Sequence, residues 1–239
     1  MKTLLITGAT SGIGKALALH AAEKGYQVIA CGRNQGVLDE LASKPNIKPL
    51  KFDVTSLEDA KQALHNVKCD VAILNAGTCE YVDIDEFESD MFRRVFETNF
   101  FGVVHCVEAL IPSLKRGNKL VIVDSMARLL PFTRSQAYGA SKAALHYFTK
   151  SLEVDLHDRG IKVQAVSPGF VETPLTDKND FDMPMKITAT EAAESMLKGI
   201  ETDKQTVFFP RMFGLILRFM HILPVGLQKK LSLSMREKQ

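Results

Sequence analysis

Tyr138 and Lys142 are four residues apart, a spacing that puts both on one face of a helix. A phenol ionises at about pH 10 and is a poor proton donor or acceptor near neutrality. An ammonium beside it favours the phenolate and is expected to lower that value, towards the range where general acid–base catalysis works best. The same spacing also describes an ordinary helix face with an exposed lysine. A second group of residues suits phosphate. In Thr7-Gly8-Ala9-Thr10-Ser11-Gly12-Ile13-Gly14 the glycines let the backbone approach a pyrophosphate. A helix starting there would offer free N–H groups and the positive end of its dipole. The alternative is a glycine-rich turn that only reverses the chain.

These residues need a framework, and the hydrophobic pattern supplies one. Thr3-Leu4-Leu5-Ile6 reads as a buried strand, followed by the glycine loop and a helix over Ala16–Lys24. Further strands are expected at Tyr26–Cys31, Lys48–Phe52, Asp70–Leu74, Lys119–Val123, Ile161–Val166 and Thr206–Phe209. Helices are expected between them at Gln35–Ser43, from a Thr55–Glu58 capping box to about Asn66, at Glu86–Phe96, Phe100–Lys115 and Ala137–Arg159. A last helix, Glu191–Glu201, would follow an N-cap at Thr190. Continuous apolar strands alternating with helices predict a seven-stranded parallel sheet covered on both faces. That is a doubly wound, Rossmann-type three-layer α/β sandwich, read as one domain over 1–239.

Composition excludes several classes of function. The chain has 239 residues, 46% hydrophobic and 24% charged, which is ample material for a core and argues against disorder. Its net charge of +2 gives no support for a nucleic-acid partner. Cys31, Cys69, Cys79 and Cys106 form no CxxC pair, and the histidines form no HxxxH, so neither a disulfide framework nor a metal site is expected. Cys31, Cys69 and Cys106 read as inert core residues, while Cys79 falls in a loop near the expected cleft. With no signal-peptide pattern and no long apolar run, a cytoplasmic setting is expected.

The order of motifs resembles the short-chain dehydrogenase/reductase family over nearly the whole length. The loop has the family's Gly-x-x-x-Gly-x-Gly spacing. Asp53-Val54, Asn75-Ala76-Gly77, Asn99-Phe100-Phe101-Gly102, Ser125, Tyr138-x-x-x-Lys142 and Pro168-Gly169 with Thr173 follow in order. The resemblance implies a catalytic set of Asn99, Ser125, Tyr138 and Lys142. Ser125 would orient a substrate carbonyl and Tyr138 would exchange its proton. Lys142 would bind the nicotinamide ribose and depress the tyrosine pKa, while Asn99 would hold a water linking Lys142 to solvent. It also implies a cofactor site from Gly8, Thr10, Ser11, Gly12, Ile13, Gly14, Arg33, Asn34, Asp53, Val54, Asn75, Ala76, Gly77, Tyr138, Lys142, Pro168, Gly169, Val171 and Thr173. Plainer roles stay open: Asp53 as a loop cap, Asn75 as a backbone brace, Thr173 as a turn residue and Ser141 as helix packing.

At the end of the second strand, Gly32 stands where NAD-specific relatives usually carry an acid, and Arg33 follows. A guanidinium grips phosphate in bidentate fashion, so NADP(H) is the expected cofactor, with a solvated loop cation as the alternative. The expected activity is hydride transfer between NADP(H) and a carbonyl or alcohol, in the direction of carbonyl reduction. A non-enzymatic dinucleotide sensor or scaffold and a 3-oxoacyl-carrier-protein reductase are the alternatives. A homo-oligomer, dimer or tetramer, is expected by family analogy alone.

Residues 174–190 are expected to form a substrate lid presenting Phe181, Met183 and Met185, with Tyr81 and Phe132 as further wall candidates. The C-terminal extension, 210–239, is apolar and basic. Arg211, Arg218, Lys229, Lys230, Arg236 and Lys238 against Glu237 give it +5, leaving −3 for residues 1–210. Arg211, Arg218 and His221 would share one helix face. Three roles are open: packing on the cleft or a neighbouring subunit, completing the core, or peripheral contact with an anionic membrane. Packing on the chain or a partner is favoured, and a segment that borders the cleft makes a lipophilic substrate the better fit.

Overall fold

Short apolar runs bounded by turn residues become the strands of a parallel sheet. The computed structural model describes residues 1–177, 179 and 181–236. Among these, β1 (Thr3–Thr7), β2 (Gln27–Gly32), β3 (Ile47–Lys51), β4 (Val71–Leu74), β5 (Lys119–Val123), β6 (Lys162–Pro168) and β7 (Thr206–Phe209) form one seven-stranded sheet. Its order is β3-β2-β1-β4-β5-β6-β7 and each neighbouring pair is parallel. The helices are α1 (Gly12–Glu23), α2 (Gln35–Ala42), α3 (Leu57–Leu64), α4 (Ser89–Phe96), α5 (Gly102–Leu110), α6 (Gln136–Asp155), α7 (Ala189–Ile200), α8 (Arg211–His221) and α9 (Val225–Arg236). This is the doubly wound α/β fold that the alternation predicts.

The two-residue period of a strand decides which layer each side chain enters. Leu4 and Ile6 of β1 join the core shared with α1, α2 and α7, whereas Leu5 joins the core shared with α3, α5 and α6. β5 alternates likewise, Val121 and Val123 to the first core and Leu120 and Ile122 to the second. Each fully buried Leu or Ile contributes about 1.5–3 kcal/mol, so the sheet is held from both faces. β1 pairs with β2 on one side and with β4 on the other, and chain order reverses between them. The chain therefore passes from β1 to α1 on one face and from β4 towards α5 on the other, which leaves a crevice at the carboxyl edge of the sheet.

Several boundaries differ from the sequence reading. The cap of α7 is Thr188, not Thr190. Thr188 Oγ1 accepts from Glu191 N at 3.2 Å and the Glu191 carboxylate accepts from Thr188 N at 2.8 Å. Thr190 lacks that reciprocity, because Ala193 stands three residues on. Thr55 does not cap α3, since its hydroxyl donates to Asp53 Oδ1 at 2.8 Å; Ser56 accepts from Asp59 N instead. α4 starts at Ser89 and α5 ends at Leu110, both inside the expected ranges, and a π-helical turn over Glu97–Phe101 joins them. The C-terminal extension forms α8 and α9. Phe213 and Leu217 of α8 pack on Met126, Leu129 and Leu130 after β5.

Candidate active site

The loop after β1 is shaped by its contacts with the loop after β4. Gly8 has φ of +68°, and a Cβ there would lie 2.9 Å from Ala76 Cα. A Cβ on Gly14 would lie 2.2 Å from the Gly8 carbonyl oxygen, so α1 begins in direct contact with the loop. Thr7 Oγ1 accepts from Asn75 N at 3.0 Å and Ala76 N at 3.1 Å, while Asn75 Nδ2 donates to Thr7 O at 3.1 Å. Asn75 is thus a brace between β1 and β4 as well as part of the crevice wall. Ser11 precedes α1 without a side-chain cap, and the first turn carries no acid. The amide groups of α1 are left to an external acceptor, which fits a pyrophosphate.

A cleft of about 160 Å³ gathers most of the expected cofactor residues. Gly8, Ser11, Gly12, Ile13, Asn75, Ala76 and Gly77 line one side; Ser125, Tyr138, Lys142, Pro168, Gly169, Val171 and Thr173 line the other. Thr173 reaches the loop directly, its Cγ2 lying 3.2 Å from where a Cβ on Gly12 would stand. Thr10, Gly14, Arg33, Asn34, Asp53 and Val54 do not line this cleft. Asn34 caps α2, accepting from Val37 N at 3.2 Å. Asp53 accepts from Thr55 N at 3.0 Å and is paired with Arg33 at 3.2 Å. Val54 packs on Gly102. The space beside Gly32 is filled by Thr10: a Cβ on Gly32 would meet Thr10 Cγ2 at 2.6 Å.

The expected acid–base residues gather where β5 ends and α6 begins. Lys142 is 4% exposed, and its Nζ donates to Val123 O at 2.9 Å and lies 5.8 Å from the Tyr138 ring centre. Burial lowers its pKa to about 8, opposed by the nearby Asp124 carboxylate. Tyr138 is not depressed as the sequence suggests. Burial holds its pKa well above the ordinary phenol value, and a hydrogen bond with the Ser125 hydroxyl pulls only partly the other way. The phenol is therefore kept as the neutral acid. Ser125 opens a short 3₁₀ turn and accepts from Ala127 N at 3.1 Å.

Asn99 sits in the π-helical turn, fully buried. Its Oδ1 accepts from Thr78 N at 2.7 Å, and its Nδ2 donates to Thr78 O at 2.9 Å and to Ser141 Oγ at 3.0 Å. The Ser141 hydroxyl in turn donates a hydrogen bond to Tyr138 O at 2.7 Å. It is a polar link between Asn99 and α6, not simple packing. Beside Gly77, Asn99 Oδ1 and Lys142 Nζ lie 3.2 and 3.4 Å from the same absent Cβ, so the two side chains converge there.

Sequence reading missed a second cluster. Asp124, buried at the end of β5, accepts from Arg128 Nε at 3.0 Å and from His146 Nδ1 at 2.6 Å, and also from the Ser167 hydroxyl. A lone acid ending an apolar strand was its one visible signal; its partners lie on other elements.

A second cavity, about 410 Å³, opens against Ser125 and Tyr138 from the other side. Phe132, Phe170, Phe181, Phe213, Leu217 and Met235 give it an apolar wall, with Tyr81 and Cys79 near the phenol. Phe181 packs edge-on to Tyr81 at 5.5 Å, and Tyr81 donates to Asn179 Oδ1 at 2.7 Å. Of the three expected lid residues, Phe181 reaches the cavity; Met183 and Met185 do not line it. Lys178 and Asp180 of that segment lie outside the described residues. Burial raises the Cys79 pKa to about 11, so it stays a thiol and is poorly nucleophilic.

A glycine-loop cleft meets a Ser125–Tyr138–Lys142 group, with the serine and lysine buried and the tyrosine half-buried, at the carboxyl edge of a doubly wound sheet. The family model described as short chain dehydrogenase matches residues 2–183. An oxidoreductase of Myxococcus xanthus is 34% identical over 236 residues, covering 93% of each chain. The solved structure of a short chain dehydrogenase from Burkholderia cenocepacia in complex with NADP is 24% identical, with a TM-score of 0.87 and 96% and 97% of the two chains covered. One from Burkholderia phymatum in complex with NAD is 23% identical, with a TM-score of 0.81 and 92% of each covered. The chain belongs to the short-chain dehydrogenase family of oxidoreductases.

Proposed function

We propose that the chain reduces a lipophilic aldehyde or ketone with NADP(H), Tyr138 serving as the general acid. One observation carries this reading: the Ser125 and Tyr138 side chains stand on both cavities at once. A carbonyl held between them would face the dinucleotide cleft while its apolar body lay among the phenylalanines. The dinucleotide would supply the hydride when bound. Lys142 would hold its ribose hydroxyls, and the uncapped α1 amides its pyrophosphate. Ser125 would orient and polarise the carbonyl oxygen. Tyr138, kept protonated by burial, would deliver the proton as negative charge develops there. The Lys142 ammonium beneath the ring would steady that charge.

Arg33 supports NADP(H) over NAD(H). Its side chain is 73% exposed at the end of β2 and within reach of solvent-borne phosphate. Thr10 packed on Gly32 leaves no place for the acid that would bind a free ribose. Tyr147 and Val154, seven apart on α6, are exposed apolar side chains, and Phe101 before α5 is a third. They support a homo-oligomer built on α5 and α6. Four free cysteines suit a reducing, cytoplasmic setting.

The test is NADPH consumption by the purified chain across short and long aldehydes, ketones and 3-oxoacyl thioesters. The reading expects turnover that improves with apolar chain length. NADPH binding with no turnover on any carbonyl would instead favour a dinucleotide sensor, and turnover confined to 3-oxoacyl thioesters the narrower reductase.

A further inference from the structure

The two faces of α8 have different fates. Phe213, Gly214 and Leu217 are buried against the body of the protein. Met212, Leu215, Ile216, Phe219 and Ile222 point the other way and are exposed, Phe219 at 64% and Ile222 at 76%. Their spacing of three and four residues makes one continuous apolar stripe along the outer side of the helix. Val225 and Leu227 at the start of α9 are exposed as well. A contiguous apolar surface of this kind marks an interaction site.

Charge identifies the occupant. Residues 211–236 contain Arg211, Arg218, Lys229, Lys230 and Arg236 and no acid. Arg211, Arg218, Lys229 and Lys230 are exposed on the same two helices. Arg218 lies over the Phe208 ring at 5.1 Å, which holds its cation near the base of α8. Exposed apolar side chains on a segment whose only fixed charges are cations suit the boundary between acyl chains and anionic headgroups, where basic side chains reach back towards phosphate. Among the described residues no helix is long and apolar enough to cross a membrane, so the contact is interfacial. We infer that the outer face of α8 and the start of α9 form a seat for an anionic lipid surface. The inner residues of the same helices, Phe213, Leu217 and Met235, wall the apolar cavity. A chain seated this way presents that cavity beside the lipid phase. The inference concerns the surface and stands whether or not the site turns over carbonyls.

The experiment is sedimentation of the full chain with phosphatidylglycerol–phosphatidylcholine vesicles and with pure phosphatidylcholine vesicles. Wild type should pellet with the anionic vesicles, less so at high salt, and stay in solution with the neutral ones. Leu215→Glu with Phe219→Glu should abolish binding. Lys229→Gln with Lys230→Gln should weaken it roughly fivefold per lysine removed. Circular dichroism and NADPH binding check that both variants are folded. The inference fails if wild type ignores anionic vesicles, or if the folded variants pellet as wild type does. It also fails if lipid-free wild type is an oligomer that Leu215→Glu dissociates, because the stripe would then be covered by a second copy.

Discussion

Arg33 Nη1 lies 3.2 Å from Asp53 Oδ2, joining two loops whose residues are twenty apart in sequence. The guanidinium proposed to hold the 2′-phosphate is thus already oriented by a carboxylate, which also competes with the phosphate for it. Arg33→Ala should weaken NADPH binding by about tenfold, in line with loss of one charge-assisted hydrogen bond of about 1.5 kcal/mol. NADH affinity should barely change. Asp53→Asn should tighten NADPH binding by removing the competing charge. Titration calorimetry with both dinucleotides measures all three effects.

Ser141 is a positioning residue. It completes the hydrogen bonds of the buried Asn99 amide, 42 residues away, at 3.0 Å. Ser141→Ala leaves one Asn99 N–H without an acceptor and should cost about 1–3 kcal/mol in denaturant unfolding. It should also lower kcat more than it raises KM, because Asn99 and Lys142 meet at Gly77. Ser141→Thr keeps the hydroxyl and should recover most of the loss.

Lys142 brings an alkaline limit. Burial lowers its pKa to about 8, so the ammonium is present below that pH and lost above it. If the charged form is required, kcat/KM, which reports the free enzyme, should fall as pH rises through about 8. The Asp124 carboxylate opposes that shift. Asp124→Asn should therefore move the limb to lower pH, and a pH–rate profile of the two proteins checks the direction.

The apolar cavity should act through KM. Phe181 touches Tyr81 at 5.5 Å and Phe170 at 6.2 Å between ring centres. Phe181→Ala should raise KM for long-chain aldehydes by about tenfold, a loss of roughly 1.4 kcal/mol of apolar burial of the chain. Short aldehydes should be nearly unaffected, and steady-state kinetics on a chain-length series separates the two.

How much of this was legible beforehand depends on the range of the interaction. β5 and β7 fall on Lys119–Val123 and Thr206–Phe209, as expected, because their apolar runs are short and sharply bounded. The glycine loop, Tyr138 and Lys142 were legible from local spacing. The π-helical turn at Asn99 was not, since nothing in Glu97–Phe101 distinguishes it from a helix interior. The capping box pointed to Thr55 as the cap of α3, but a hydrogen bond to Asp53 engages its hydroxyl and Ser56 takes the cap instead. The Ser141–Asn99 link, the Asp124 cluster and the Arg33–Asp53 pair all join residues on different elements. No periodicity records such pairings. The apolar tail was legible as amphipathic, but which of its faces is covered depends on the packing of α8 against Met126, Leu129 and Leu130.

The central claim is that the Tyr138 phenol delivers the proton. Tyr138→Phe removes the hydroxyl and keeps the ring. Single-turnover oxidation of bound NADPH by a long-chain aldehyde should slow by about 10²–10⁴-fold, while the Kd for NADPH stays near that of wild type. Reduction at the wild-type rate by a variant that still binds NADPH would contradict the account.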